Sequence, residues 1–110
     1  MQKAIAKTKY VRISPRKARY VADMIRGKRV EEVKQQLLFS RSKGGKLLRK
    51  TVDSAVANAE TQLGLARKDL RVSEVRIDAG PTMKRAKSKC RGGRVPILQR
   101  TSHFTVVVEA

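Results

Sequence analysis

The chain has one cysteine, one histidine, no tryptophan and only four aromatic residues. A single thiol, Cys90, allows no disulfide framework and no cysteine-based zinc site, and it fits a reducing, cytosolic setting. A single histidine, His103, falls in an expected strand, where a structural or contact role is a better reading than general-base work. The nine acidic residues are scattered, with no paired carboxylates at metal-ligand spacing. Gly44-Gly45 lacks the rest of any phosphate-loop signature. Catalysis needs convergent titratable groups, so the sequence argues against an enzyme, a cofactor, a metal and a small-molecule substrate. Cys90, between Lys89 and Arg91, is read as incidental. No run of 18 apolar residues occurs, so no bilayer span is expected, and no apolar leader segment follows the N-terminus.

What the chain has is positive charge. Its 110 residues hold 27 Lys and Arg against nine Asp and Glu, a net charge of +18. Such an excess repels itself in a free monomer, so a polyanionic partner is the economical explanation, either nucleic acid or an acidic membrane surface. Residues 1–50 carry sixteen basic and three acidic groups, residues 51–80 four and five, and residues 81–100 seven and none. Two basic zones flank a nearly neutral middle, which is the expected packing centre. With 40% hydrophobic residues the chain can build a core, and its length suits one small domain.

Residues 3–13 alternate loosely and read as a strand. Ser14-Pro15 gives an N-cap and a proline at the first helical position, and Ala18, Val21, Ala22 and Ile25 form one apolar stripe closed by Gly27. A second helix carries Glu31 and Glu32 in its first turn, where negative charge suits the macrodipole, with Val33, Leu37 and Leu38 expected on its buried side. Leu48, Val52, Ala55, Val56, Ala59 and Leu63 keep helical spacing up to Gly64, and the small residues at 55, 57 and 59 allow close packing. Residues 70–79 alternate with a phase slip between Val72 and Val75, which a bulge near Ser73–Glu74 explains. Residues 102–109 form a last strand with Phe104, Val106 and Val108 on one face. The expected class is α+β, a small antiparallel sheet packed with three helices.

Residues 80–100 form a segment too long for an ordinary hairpin loop. It contains the cations Lys84, Arg85, Lys87, Lys89, Arg91, Arg94 and Arg100, and Gly92-Gly93 lies near its middle. Folded as a ribbon turning near Arg91–Gly93, it makes an arm on the order of 30 Å long; the plain alternative is a disordered basic loop. The expected organisation is therefore a single domain, 1–110, with a globular part at 1–79 and 101–110 and a protruding basic β-hairpin at 80–100.

Phe39 and Phe104 are expected in the core, which leaves few exposed rings for stacking, and no RNP-type pattern occurs. This favours contact with phosphates and with the shape of folded nucleic acid. Candidate contacts are Lys7 and Lys9 on the first strand, Ser14, Arg26 and Lys28 around the first helix, Arg41, Lys43 and Lys46 near the third, and Arg100. A rival is an architectural DNA-binding protein with a basic β-arm in the minor groove, but it leaves the charge of residues 1–50 unexplained and lacks an apolar wedge at the arm's midpoint. A membrane-surface protein requires a helix with segregated cationic and bulky apolar faces, and the two alanines in the first helix's stripe are too small for that.

The stretches YVRISPRKARYVADMIRGK (Tyr10 to Lys28), DSAVANAE (Asp53 to Glu60), DAGPTMKR (Asp78 to Arg85) and RTSHFTVVV (Arg100 to Val108) resemble, in order, blocks of the bacterial large-subunit ribosomal protein L-twenty-two family. The resemblance spans nearly the whole chain. It implies a structural protein that binds large-subunit (23S-type) rRNA, assists subunit assembly, neighbours other large-subunit proteins, and sends a hairpin inward along the nascent-peptide exit tunnel. It also implies residence in a ribosome, cytoplasmic or organellar. Arg12, Arg16, Lys17 and Arg19 match the family's first-helix rRNA contacts, Ser102 and His103 its returning strand, and Met83, Lys84 and Arg85 its tunnel limb. The chain departs from the pattern at Asp53, where glutamate is usual, and at Ser88, Gly93 and Pro96 in the arm. Pro96 is expected to interrupt the returning limb.

Overall fold

The structure, a computed structural model, describes residues 2–110. The elements are β1 (Lys3–Val11), α1 (Pro15–Ile25), α2 (Val30–Leu38), α3 (Lys43–Leu63), a short 3-10 turn (Arg67–Asp69), β2 (Arg71–Ala79), β3 (Met83–Ser88), a tip turn (Cys90–Gly92), β4 (Arg94–Gln99) and β5 (Ser102–Glu109). Strands β1, β5 and β2 make one antiparallel sheet with β5 in the centre, and β3 and β4 make a separate two-stranded ribbon. The class is α+β, as the sequence implies.

Local chemistry sets the helix limits. Ser14 occupies the cap position of α1 with extended backbone, but its hydroxyl makes no cap bond; Pro15 alone fixes the start. Gly27 adopts a left-handed φ of 81° just past the end. Helix α3 begins at Lys43, with the Ser42 hydroxyl accepting from the Gly45 N–H at 3.1 Å, and it stops at Gly64 in the left-handed region. In α2 the buried residues are Val30, Val33 and Leu37. Leu38 was expected to be buried but is exposed, because it falls one position past the stripe and turns outward with the end of the helix.

The core joins Ala18, Ala22 and Ile25 of α1, Val30, Val33 and Leu37 of α2, and Leu48, Val52, Val56 and Ala59 of α3 to the inner sheet face, with Phe104, Val106 and Val108 at its centre. Small residues at 55 and 59 let α3 lie close on the sheet. The β2–β5 pairing slips between Val72 and Glu74, so the bulge falls where the phase of the sequence slipped. A second bulge lies in β1. Lys9 and Tyr10 sit between the Thr8–Phe104 and Val11–Ser102 pairs, and Tyr10 has a φ of 60°. The Tyr10 N–H donates to His103 Nδ1 at 3.1 Å and the two rings meet edge to face at 5.0 Å. His103 therefore pins the bulge.

An open outer edge on β2 would invite further strand pairing. Here the Gly27 N–H donates to the Val72 carbonyl and the Val72 N–H to the Lys28 carbonyl, both at 2.9 Å. Further along, Arg26 donates to the Val75 carbonyl at 2.8 Å, and Arg19 donates twice to the Ile77 carbonyl, at 3.2 and 3.1 Å. The edge is closed by α1 and the turn after it.

The arm leaves between β2 and β5. The Gly80 N–H donates to the Thr101 carbonyl at 2.9 Å and the Thr101 hydroxyl donates to the Pro81 carbonyl at 2.7 Å. A Cβ on residue 80 would lie 2.5 Å from the Thr101 hydroxyl, so this crossing requires glycine. Pairing then runs unbroken from Met83–Gln99 to Ser88–Arg94, with Ala86 opposite Pro96. Pro96 does not interrupt the limb. Each strand of a two-stranded ribbon has an outer side, and a proline whose missing donor faces that side removes no ladder bond. The tip closes with the Lys89 N–H on the Gly93 carbonyl at 2.7 Å and with left-handed Arg91 and Gly92. The molecule measures 62 × 24 × 17 Å.

Candidate nucleic-acid interface

The three longest stretches without an acidic residue are 1–22, 33–52 and 79–108. The fold brings them together. The turn from β1 into α1 supplies Arg12, Ile13 and Ser14, α1 itself supplies Lys17 and Tyr20, the N-terminus of α3 supplies Ser42, Lys43 and Gly44, and the end of the arm supplies Arg100; together they line a cleft of about 530 Å³. A neighbouring hollow of about 250 Å³ shares Arg12, Lys43 and Arg100 and adds Met83 and Gln99 at the root of the arm. A basic groove thus runs from α1 to the ribbon.

The cleft depends on a close helix approach. A Cβ on Gly44 would lie 3.2 Å from Ile13 and 3.4 Å from Val21, so a side chain there would press on both where the start of α3 rests against α1. The buried Ser102 hydroxyl donates to the Ile13 carbonyl at 2.6 Å, holding the segment that carries Arg12 and Ser14. Ser14, whose hydroxyl makes no cap bond, lines the cleft. The first N–H groups of a helix have no partner within it. In α3, Ser42 takes up that of Gly45 and leaves those of Lys43 and Gly44, at the positive end of the macrodipole. The cations, the hydroxyls and these free N–H groups all attract anions.

Among the described residues, seven cations form ion pairs: Lys3, Arg26, Lys34, Arg49, Arg67, Arg71 and Arg76. None lines the cleft or lies in the arm. The paired groups brace the opposite end and the flanks. The nearly buried Glu109 accepts from Arg71 at 3.1 and 2.7 Å and lies 3.9 Å from Lys3. On the exposed face of β2, a hydrogen bond from Arg76 holds the Glu74 carboxyl below the usual carboxylate range.

The expected contact residues divide by place. Arg12, Ser14, Lys17, Lys43 and Arg100 converge on the cleft. Arg16 is exposed beside it on α1; Lys7 and Lys9 are exposed on β1 and Arg41 before α3. Lys46 lines a separate hollow of about 390 Å³ with Leu38, Arg49 and Lys50. Lys28 lies at the far end of α1. Arg19 and Arg26 bind β2 carbonyls, Ser102 is buried, and His103 is held against Tyr10. Lys84, Arg85, Lys87, Lys89, Arg91 and Arg94 are exposed along the ribbon, with Gly92 and Gly93 at its tip.

Other features were not foreseen. Phe39 was expected in the core but is 80% exposed, because it caps α2 two residues beyond the last buried position of the stripe. Tyr10 and Tyr20 are exposed too, so three of the four rings face solvent. Tyr20 is two places from Ala18 and one from Val21, off the apolar stripe, and that spacing was the available signal. On the ribbon Val95, Ile97 and Leu98 are exposed. Strand alternation puts Val95 and Ile97 on one face with Arg85 and Lys87, and Leu98 on the other with Lys84.

Comparison with known proteins gives a consistent picture. The family described as "Ribosomal protein L22p/L17e" matches residues 6–109. The chain is 65% identical over 108 residues to "Large ribosomal subunit protein uL22" of Protochlamydia amoebophila, covering 98% of this chain and 97% of that protein. Proteins of the same name from Chlamydia abortus and Chlamydia trachomatis serovar L2 are 57% and 55% identical over 103 residues, each match covering 94% of this chain and 93% of theirs.

Proposed function

The chain belongs to the ribosomal protein L22p/L17e family, and from that premise we propose that it binds large-subunit rRNA through the basic cleft and groove and carries the ribbon along the nascent-peptide exit tunnel. The family is one of structural ribosomal proteins, not enzymes, so recognition and assembly take the place of catalysis. The observation that carries the rRNA reading is the convergence of three acid-free segments on one cleft whose cations have no carboxylate partner among the described residues. Phosphate neutralisation by such groups releases counterions. The contacts assigned to it are Arg12, Ser14, Arg16, Lys17, Lys43 and Arg100, with Lys7, Lys9, Arg41 and Lys46 around them. Neighbouring large-subunit proteins share that RNA surface, and the setting is the cytoplasmic ribosome.

The tunnel reading rests on the ribbon's length, its lack of core contacts and its match to the family's limb at Met83, Lys84 and Arg85. We assign residues 80–100 as an arm separate in folding from 1–79 and 101–110. Two measurements test these readings. Affinity for a large-subunit rRNA fragment should fall about 10³- to 10⁵-fold between about 50 and 200 mM salt, as for six to ten neutralised phosphates; a flat response rejects phosphate contact. A variant with Lys84–Pro96 replaced by a two-residue turn should keep the wild-type melting midpoint and still enter the subunit, while nascent chains no longer crosslink at that position. Loss of cooperative unfolding would show that the arm belongs to the fold.

A further inference from the structure

We propose that the cleft beside Tyr20 receives one unpaired nucleotide, its base laid on the tyrosine ring and its phosphate held among Arg12, Lys43 and Arg100. This rests on the RNA reading above and names the chemical form of the RNA at that site. Backbone contact alone explains the cations; it does not explain the ring. Tyr20 is 63% exposed on the same side of α1 as Lys17, one turn away, and it forms a wall of the cleft. What sets Tyr20 apart from the exposed Tyr10 and Phe39 is its place in the wall of a basic cleft, and a base has a flat π-face that stacks on such a ring whatever its identity.

Size and polarity agree. The cleft, about 530 Å³, lies within the roughly 300–1,000 Å³ range of clefts that enclose small ligands. That is room for one nucleotide and far too little for a duplex. Its side-chain lining combines one aromatic wall, the apolar Ile13, the Ser14 and Ser42 hydroxyls and four cations, with no carboxylate. An A-form duplex buries its base faces and offers phosphates and 2′-hydroxyls, so only a nucleotide splayed from a loop or bulge can place base and phosphate in one cleft.

The test uses the full chain and three probes: a six-nucleotide oligoadenylate, the same backbone without bases, and adenosine monophosphate. Wild-type protein should bind the base-bearing oligomer about 5- to 150-fold more tightly than the abasic one at equal salt, the range for one stacked base. Tyr20→Phe should keep that preference, and Tyr20→Leu should bring the two oligomers within about twofold while leaving the salt slope unchanged. Upfield shifts of the Tyr20 ring protons on adding the oligoadenylate to wild-type protein give a readout independent of any variant. Equal affinity for the two oligomers, or a preference that survives Tyr20→Leu, overturns the proposal. Adenosine monophosphate binding as tightly as the oligomer would make this a free-nucleotide site and overturn it as well. A steep salt slope without base preference overturns this proposal and leaves the phosphate reading standing, whereas base preference with a flat slope rejects the phosphate reading and with it the phosphate seat proposed here.

Discussion

The helices and main sheet, and the β3–β4 ribbon, are built from the same residue types under different rules. In the body, apolar side chains from all three helices meet the sheet in one cluster, and no residue of 80–100 joins it. In the ribbon every strand residue is exposed except the half-buried Met83 at its root, and backbone pairing alone gives it shape. Arginine shows the same contrast. In the body Arg19 and Arg26 close a sheet edge and Arg71 pairs with a nearly buried glutamate; in the ribbon no cation meets a carboxylate, and Arg85 reaches only its neighbour's carbonyl. The body holds its shape by burial, whereas the ribbon has only its own backbone pairing, and isolated two-stranded hairpins are marginal in water. Positive charge is spent on bonds within the fold in one region and is left without a carboxylate partner in the other.

The strongest way to break this contrast is to remove a large apolar side chain from each region. Phe104, fully buried at the centre of β5, should cost about 3–5 kcal/mol on replacement by alanine, a large share of the roughly 5–15 kcal/mol that holds a small domain together. Ile97→Ala in the ribbon should shift the same denaturant melt by no more than about 0.5 kcal/mol. Comparable losses at both positions would mean that the ribbon packs on the body.

A smaller effect is expected at the junction. Gly80→Ala places a methyl 2.5 Å from a Thr101 hydroxyl that is itself held by the Pro81 carbonyl. Overpacking of this kind costs about 1–3 kcal/mol. Thr101→Ala removes the obstructing oxygen, so adding it to Gly80→Ala should cost less than the sum of the two single changes. Strict additivity in that cycle would show that the crossing is looser than its geometry.

Much of the fold was legible because burial leaves a periodic trace. The α1 and α3 stripes and the phase slip at Ser73 each mark which side of an element meets the core. The trace fades where an element ends, which is why Leu38 and Phe39 were assigned to the core and stand in solvent. It says nothing about backbone irregularities held by distant groups. The β1 bulge depends on His103, which lies 93 residues from Tyr10 in sequence. Charge was legible as composition, not as place. The segments that form the cleft are acid-free in the sequence, yet only the approach of α3 to α1 at Gly44 makes them one surface. Arg16, Lys17 and Arg19 stand almost side by side in the sequence, but the structure gives Arg19 a partner within the fold.

That division yields the finest test of the contrast, because it lies within a single helix turn of the body. Arg16 and Lys17 are exposed in the first turn of α1, where the macrodipole is positive and cations are unfavourable. Changing both to glutamine should stabilise the free protein at low salt, by about 0.3 kcal/mol per charge at the exposed limit. Arg19→Gln has the opposite sign, since it removes two charge-assisted bonds to the Ile77 carbonyl and uncovers the β2 edge, a loss of about 1 kcal/mol. In RNA binding the order reverses. Loss of Arg16 and Lys17 should lower the salt slope by about two, one for each phosphate contact, whereas Arg19→Gln should leave it unchanged once the variant is compared in its folded state. Denaturant melts at low salt, paired with salt-titrated binding of the three variants, measure both halves. If Arg19→Gln alters the salt slope and leaves the melt untouched, its guanidinium serves the RNA and the closure of the β2 edge does not depend on it.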